Sequence, residues 1–420
     1  MTNSTFHKLS GPFEGDVLIC DRKPIAPEVA AYPLEDAQRA FDRISTWPAY
    51  SVTPLISLPG LAADLGLGGV WCKDEGRRLG LASFKAMGAI YASVAQISEL
   101  LEERTGQAIN DRDLLTGQYQ EHLRGIYLTC CTDGNHGFSV ARAARMMGCG
   151  CKIYIPRGVS AAREQALRDE GADVVRIDGI YDEAYEIAAR DAAADAGAVV
   201  ISDSATREYT RIPRLVMAGY SIMVREILDQ LDGEVPTHVM LPAGCGGLAG
   251  AVMTAFDQRV GGRSPKPIIV EPLSADCVFT SKVAGQEVEI EGDLETIMGG
   301  LSCAAVSHVA WPILSQRVAG CLRIADDVAV EAMRALANPK GDDPAIVAGE
   351  TGGAGLAGLM ALAGDQEARR ALALDSTARV LIFNCEGATD IGAYRQIVGD
   401  ARSDELGISE PVDRSAQMSV

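Results

Sequence analysis

Short apolar runs of four to six residues alternate along the chain with longer stretches whose apolar positions recur every three or four residues. The first pattern fits buried strands, and the second fits helices with one apolar face. Strands are predicted over residues 69–73, 126–131, 152–155, 173–177, 199–202, 238–242, 268–271, 321–324 and 379–384. Helices are predicted over 84–101, 137–147, 161–170, 181–196, 212–231, 247–257, 326–336, 352–363 and 390–397. This alternation makes an α/β protein of parallel sheets covered by helices on both faces. Right-handed crossovers gather the carboxyl ends of the strands, and the loops that leave them, along one edge. The glycine clusters fall at those ends. Residues 1–45 show neither pattern and read as an irregular N-terminal extension. Residues 46–89 and 206–420 read as a large domain, with 90–205 inserted as a smaller α/β domain.

A chain of 420 residues is long enough for more than one domain and a large core. Its 44 glycines suit many tight strand-to-helix turns. The formal net charge of −19 opposes binding to nucleic acid and to anionic membranes. No basic patch with interleaved aromatics appears, and no apolar run reaches the length of a membrane span. The opening residues Met1-Thr2-Asn3-Ser4-Thr5-Phe6-His7-Lys8 lack the layout of a signal peptide. The eleven cysteines are scattered and odd in number, which suits reduced thiols and a cytoplasmic location. The close pairs Cys130-Cys131 and Cys149-Gly150-Cys151 lack zinc spacing to any of the five dispersed histidines, so no metal is expected. An anionic ligand must then be held by local backbone dipoles, against the global charge.

Five segments carry chemistry. In Ser83-Phe84-Lys85-Ala86-Met87-Gly88-Ala89, Lys85 stands where a helix begins, after the approach Glu75-Gly76-Arg77-Arg78-Leu79-Gly80-Leu81. Desolvation beside Phe84 and Met87 would lower its pKa and let it condense with an aldehyde. The plain alternative is a surface lysine at a helix start. Thr132-Asp133-Gly134-Asn135-His136-Gly137 runs from a strand into a helix, so its amides converge on an anion such as a carboxylate. Asn135 offers an amide donor suited to a phenolic oxygen, and Asp133 is either a general base or a helix cap. Pro242-Ala243-Gly244-Cys245-Gly246-Gly247-Leu248-Ala249-Gly250 also joins strand to helix. Its glycines let amides approach a phosphate or serve packing alone, and the absence of a P-loop lysine disfavours nucleotide triphosphates. The last two are Gly349-Glu350-Thr351-Gly352-Gly353-Ala354-Gly355 and Asn384-Cys385-Glu386-Gly387-Ala388-Thr389-Asp390. Cys385 is either a neutral partner for a pyridine nitrogen or a small core residue.

In this order the five segments resemble fold-type II pyridoxal phosphate enzymes, the tryptophan-synthase-β and threonine-deaminase group. More narrowly the chain resembles the diaminopropionate ammonia-lyases. Pro54-Leu55-Ile56-Ser57-Leu58-Pro59, Lys73-Asp74-Glu75, Thr296-Ile297-Met298-Gly299-Gly300-Leu301-Ser302-Cys303 and the aspartate within Thr132–Gly137 carry that likeness. It extends from about residue 45 to 400. The resemblance implies two three-layer parallel-sheet domains with pyridoxal 5'-phosphate between them, in a homodimer. Lys85 would hold the cofactor and act as base toward an L-substrate, and Asp133 would serve the D-isomer. Asn135 would meet the cofactor's phenolic oxygen. Gly244, Cys245, Gly246, Gly247 and Leu248 would bind its phosphate, and Cys385 would meet its ring nitrogen. Asp203 falls near a family carboxylate close to the substrate. The substrate would be a small amino acid, 2,3-diaminopropionate, split to pyruvate and ammonia.

Three departures stand out. Thr206-Arg207-Glu208 replaces a tryptophan-glutamate-glycine run, Ala82-Ser83 replaces asparagine-alanine before Phe84-Lys85, and Asn384-Cys385 replaces serine-threonine. The first bears on substrate identity and keeps a dehydratase of serine, threonine or hydroxyaspartate in view. A β-replacement synthase and a catalytically silent binding protein are the remaining alternatives.

Overall fold

The computed structural model describes residues 5–132, 134–179 and 181–408. Its strands are β1 Thr5–Lys8, β2 Gly15–Ile19, β3 Leu55–Ser57, β4 Gly69–Asp74, β5 Tyr127–Cys131, β6 Gly150–Ile155, β7 Asp173–Arg176, β8 Ala198–Val200, β9 His238–Pro242, β10 Lys266–Pro272, β11 Gly320–Ile324 and β12 Arg379–Asn384. The nine strands expected from apolar runs are all present, each within two residues at either end. They divide between two sheets. The smaller, in the order β7-β6-β5-β8, is wholly parallel. The larger has the order β1-β2-β11-β10-β9-β12-β4-β3.

The larger sheet departs from the expected all-parallel arrangement at both edges. β11, β10, β9, β12 and β4 are parallel, whereas β2 runs antiparallel to β11 and β3 antiparallel to β4. The N-terminal extension is not irregular either. β1 and β2 form an antiparallel hairpin on the sheet edge, and Leu34–Ile44 is a helix. This region is anchored in the core: Tyr32 is fully buried, and its hydroxyl donates to the Ala251 carbonyl at 2.7 Å. β2 finds its partner some three hundred residues away, so no local pattern announces it.

The helix Lys85–Thr105 packs between the helices Arg211–Gln230 and Asn135–Met147. It approaches the first at a pair of glycines. A Cβ on Gly88 would stand 2.5 Å from Tyr220 Cε1 and 2.6 Å from the Val216 carbonyl, and one on Gly219 would stand 3.0 Å from Gly88 Cα. The approach to this helix carries Leu79 and Ala82 at φ of 50° and 52°, a region side chains disfavour. A fully buried ion cluster braces it. Arg78 donates to Glu75 at 2.6 Å and to Glu226 at 2.7 Å, and Lys73 reaches Glu226 at 2.7 Å. Two cations against two carboxylates leave no net buried charge, the condition under which such a cluster persists.

Five chain segments therefore leave the carboxyl ends of neighbouring strands and meet. From the larger sheet, β4 leads to Lys85, β12 to Cys385 and β9 to the glycine loop; from the smaller, β5 leads to Asn135 and β8 to Asp203. The Lys85 and Cys385 segments are zipped together, with Phe84 N–H donating to the Cys385 carbonyl at 3.1 Å and Gly387 N–H to Ala82 at 2.9 Å.

Candidate active site

These segments enclose a cavity of about 410 Å³ lined by Lys85, Asn135, Asp203, Gly244 to Leu248, Thr351 and Cys385, among others. A second chamber of about 270 Å³ shares Lys85, Asn135, His136 and Glu386 with it and carries Arg163. Every expected site residue within the described residues lies on the first cavity. Asp133 lies outside the described residues.

Lys85 is the first residue of its helix, and its Nζ is ion-paired with Asp203. Burial alone would lower the lysine pKa, as its apolar neighbours suggest. The Asp203 carboxylate outweighs burial and holds the amine well above the ordinary lysine value. The expected lowering is thus reversed, because the sequence does not reveal which charge faces Nζ. On Asp203, burial opposes ionisation, but the attraction of His136 when it is protonated and of the Lys85 ammonium wins and keeps the carboxyl far below the usual range. His136 is buried; its Nε2 faces the Ile201 carbonyl at 2.7 Å, and its Nδ1 stands 3.7 Å from Asp203 Oδ2.

The glycine loop ends in the helix Gly247–Val260, whose N-cap is Gly246 at φ 85°, with no side chain to cap the amides. A Cβ on Gly244 would stand 2.8 Å from Cys303 Sγ and 3.1 Å from the Gly300 carbonyl, and one on Gly246 would stand 2.5 Å from Leu314 Cδ1. On Gly247 the nearest atom would be 3.9 Å away, so the loop is tight behind and open toward the cavity. Uncapped amides at a helix N-terminus in an open cradle suit a phosphate. The Cys385 thiol donates to the Thr351 carbonyl at 3.2 Å, and burial pushes its pKa well up, so it stays neutral.

The pyridoxal-phosphate dependent enzyme family matches residues 46–386. The chain belongs to this family. Diaminopropionate ammonia-lyase of Escherichia coli K12 is 36% identical over 360 residues, covering 84% of this chain and 88% of that protein. The Salmonella typhimurium LT2 diaminopropionate ammonia-lyase is 36% identical over 369 residues, covering 85% and 90%. The crystal structure of the E. coli enzyme in complex with an aminoacrylate-PLP azomethine reaction intermediate superposes with a TM-score of 0.82 at 33% identity. It covers 94% of this chain and 99% of that one. Tomato (Solanum lycopersicum) threonine deaminase, with a TM-score of 0.66 and 22% identity, shares the fold. The fold is therefore that of fold-type II pyridoxal phosphate enzymes, and the cofactor is pyridoxal 5'-phosphate. The site fits it: an amine, an open phosphate cradle and a neutral thiol line one cavity.

Several functional contacts escape the sequence. Glu386 accepts the Asn135 amide at 2.5 Å and the Thr351 N–H at 2.9 Å, fixing both loops. Thr351 Oγ1 accepts from Gly300 N–H at 3.1 Å. Tyr220, from the helix behind Lys85, lines the cavity and packs edge-on to Phe84 with ring centroids 4.8 Å apart. These pairings join residues as much as 251 positions apart, so no local motif marks them. For His136 the available signal was its place beside Asn135 at the head of a helix that points at the site.

Proposed function

We propose that this protein is an ammonia-lyase converting 2,3-diaminopropionate and water to pyruvate and two molecules of ammonia. The observation that carries this reading is the Lys85–Asp203 pair facing an open glycine cradle, in a chain 36% identical to a diaminopropionate ammonia-lyase over 360 residues. Bound pyridoxal phosphate supplies an electron sink for the charge left at Cα when its proton departs. The loop Gly244, Cys245, Gly246, Gly247 and Leu248 would hold the phosphate, and Asn135 would orient the phenolic edge. Cys385, kept neutral by burial, would meet the ring nitrogen without forcing a proton onto it. Lys85 would remove the α-proton of the L-isomer, and Asp133 that of the D-isomer. Asp203 balances charge beside Lys85 while the β-amino group departs.

Residues 46–89 with 206–420 would form the large domain, to whose sheet the hairpin β1–β2 adds an edge, and 90–205 the smaller one. A cytoplasmic homodimer is part of the same proposal and rests on the resemblance. No helix among the described residues is long and apolar enough to cross a membrane. Replacing Lys85 with Ala is expected to abolish the yellow absorbance of the loaded enzyme and its turnover together. Retention of both in the variant would remove Lys85 from the chemistry.

One observation favours a second reading. Thr206, in the segment Thr206-Arg207-Glu208 that departs from the pattern the resemblance implies, lines the cavity, which keeps in view a related dehydratase acting on serine, threonine or hydroxyaspartate.

A further inference from the structure

An amine paired with a carboxylate is a cation, yet condensation with an aldehyde and removal of a Cα proton both need its lone pair. Lys85 must therefore pass one proton on. Asp203 alone is a poor final acceptor, since its carboxyl is held strongly ionised. The neighbouring His136 is placed to take it transiently, since burial disfavours its charged form and so returns the proton. Its Nε2 faces the Ile201 carbonyl at 2.7 Å, and a carbonyl only accepts, so Nε2 carries the ring hydrogen. Nδ1 is then a bare lone pair. It is buried without a hydrogen-bond partner and points toward Asp203 Oδ2 at 3.7 Å. That same Oδ2 is the atom paired with Lys85 Nζ.

We infer that His136 is a positioning residue for the proton: it accepts at Nδ1 the proton that Lys85 gives up through Asp203. One N–H bond breaks at Lys85 Nζ and one forms at His136 Nδ1. The charges change from +1, −1 and 0 on Lys85, Asp203 and His136 to 0, −1 and +1, so no net charge enters the site. Asp203 remains a carboxylate between the two and stabilises whichever neighbour is protonated. The return transfer reprotonates Lys85 when the amine is displaced again. The other titratable groups facing this trio are Cys130 from β5, Tyr209, Tyr220 and Cys245. Burial pushes Cys130, Tyr209 and Tyr220 upward, so they stay neutral. Cys245 is drawn down by a hydrogen bond with Cys303 and is the competing acceptor.

The inference rests on the lyase reading only for the need of a neutral Lys85, and its test is read in two ways. The protein labelled with ¹⁵N-histidine, with and without pyridoxal phosphate, is followed by long-range ¹H–¹⁵N spectra from about pH 5 to about pH 10. The five histidines are few enough to resolve, and His136→Gln assigns the signal. The expected ring carries its hydrogen on Nε2 when neutral. Its uptake of a proton at Nδ1 should weaken about tenfold, one pH unit, in Asp203→Asn. In kinetics, His136→Gln is expected to lose about 10²-fold in kcat/KM at pH 7 and to recover as pH rises, since hydroxide then strips Lys85 directly. Cys245→Ala alters the phosphate loop and is expected to lower kcat/KM by a similar factor at every pH, without the recovery at high pH. A neutral ring protonated on Nδ1, or a titration indifferent to Asp203→Asn, overturns the relay. So does a His136→Gln profile parallel to wild type, or the pH-dependent loss appearing in Cys245→Ala instead. Wild-type inactivity on diaminopropionate with the expected spectra would sink the lyase reading and leave the relay standing.

Discussion

Lys85 sits where its motif places it, but its charge is set by Asp203, a residue 118 positions away that leaves a different sheet. The same division runs through the site. Asn135, the glycine loop and Cys385 are legible because each follows a strand and opens toward a shared edge. Glu386, Thr351 and His136 are not, because what makes them functional is a partner found only on folding. Asp133 can be judged by stereochemistry. If it is the base for the D-isomer, Asp133→Asn should lose about 10²–10⁴-fold on D-diaminopropionate and much less on the L-isomer. Equal losses on both would make it a cap.

Glu350 supplies a pH prediction. It is buried, and burial together with the Glu386 charge raises its pKa to about 7. The unfolded chain ionises it near an ordinary glutamate value of about 4.3. Below that value both states are protonated, and the fold bears no penalty. Between about 4.3 and about 7 the unfolded chain ionises this carboxyl while the folded protein keeps its proton, so stability falls over that window by on the order of 3 kcal/mol. Urea unfolding should therefore show the wild type weakening from pH 5 to pH 8, with Glu350→Gln weakening less. Identical pH slopes would mean the carboxyl ionises freely.

Among the elements, the pairing of helices Lys85–Thr105 and Arg211–Gln230 is the most exacting. Gly88 and Gly219 let the backbones touch, and any Cβ at Gly88 meets Tyr220 and the Val216 carbonyl at less than 3.0 Å. Gly88→Ala should cost about 1–3 kcal/mol in denaturant unfolding, since the obstructing oxygen is backbone and cannot turn aside. Because Lys85 begins this helix, cofactor uptake should weaken in the same variant. Unchanged stability and uptake would mean that the helices slide apart without consequence. The long crossover helices and central strands were legible because each is long or apolar enough to announce itself, whereas the helix Leu34–Ile44 lay in a stretch read as irregular. The edge strands were not: Thr5–Lys8 and Leu55–Ser57 are short and partly exposed, and β2 is specified by its pairing with β11. The parallel core could be read from alternation, and its antiparallel borders could not.

Two sheets turn their carboxyl edges toward one cavity, and an acidic chain of net charge −19 offers an anionic cofactor a cradle of uncapped backbone amides. That arrangement serves several β-eliminations equally well, so the substrate is decided by contacts at the cavity wall such as Thr206. The most direct measurement is 2-oxoacid and ammonia release by the loaded enzyme, with D- and L-2,3-diaminopropionate set beside serine, threonine and hydroxyaspartate. The expected result is pyruvate with two equivalents of ammonia from diaminopropionate, at a kcat/KM above that for any hydroxy amino acid. Turnover of serine or threonine with none of diaminopropionate would contradict it.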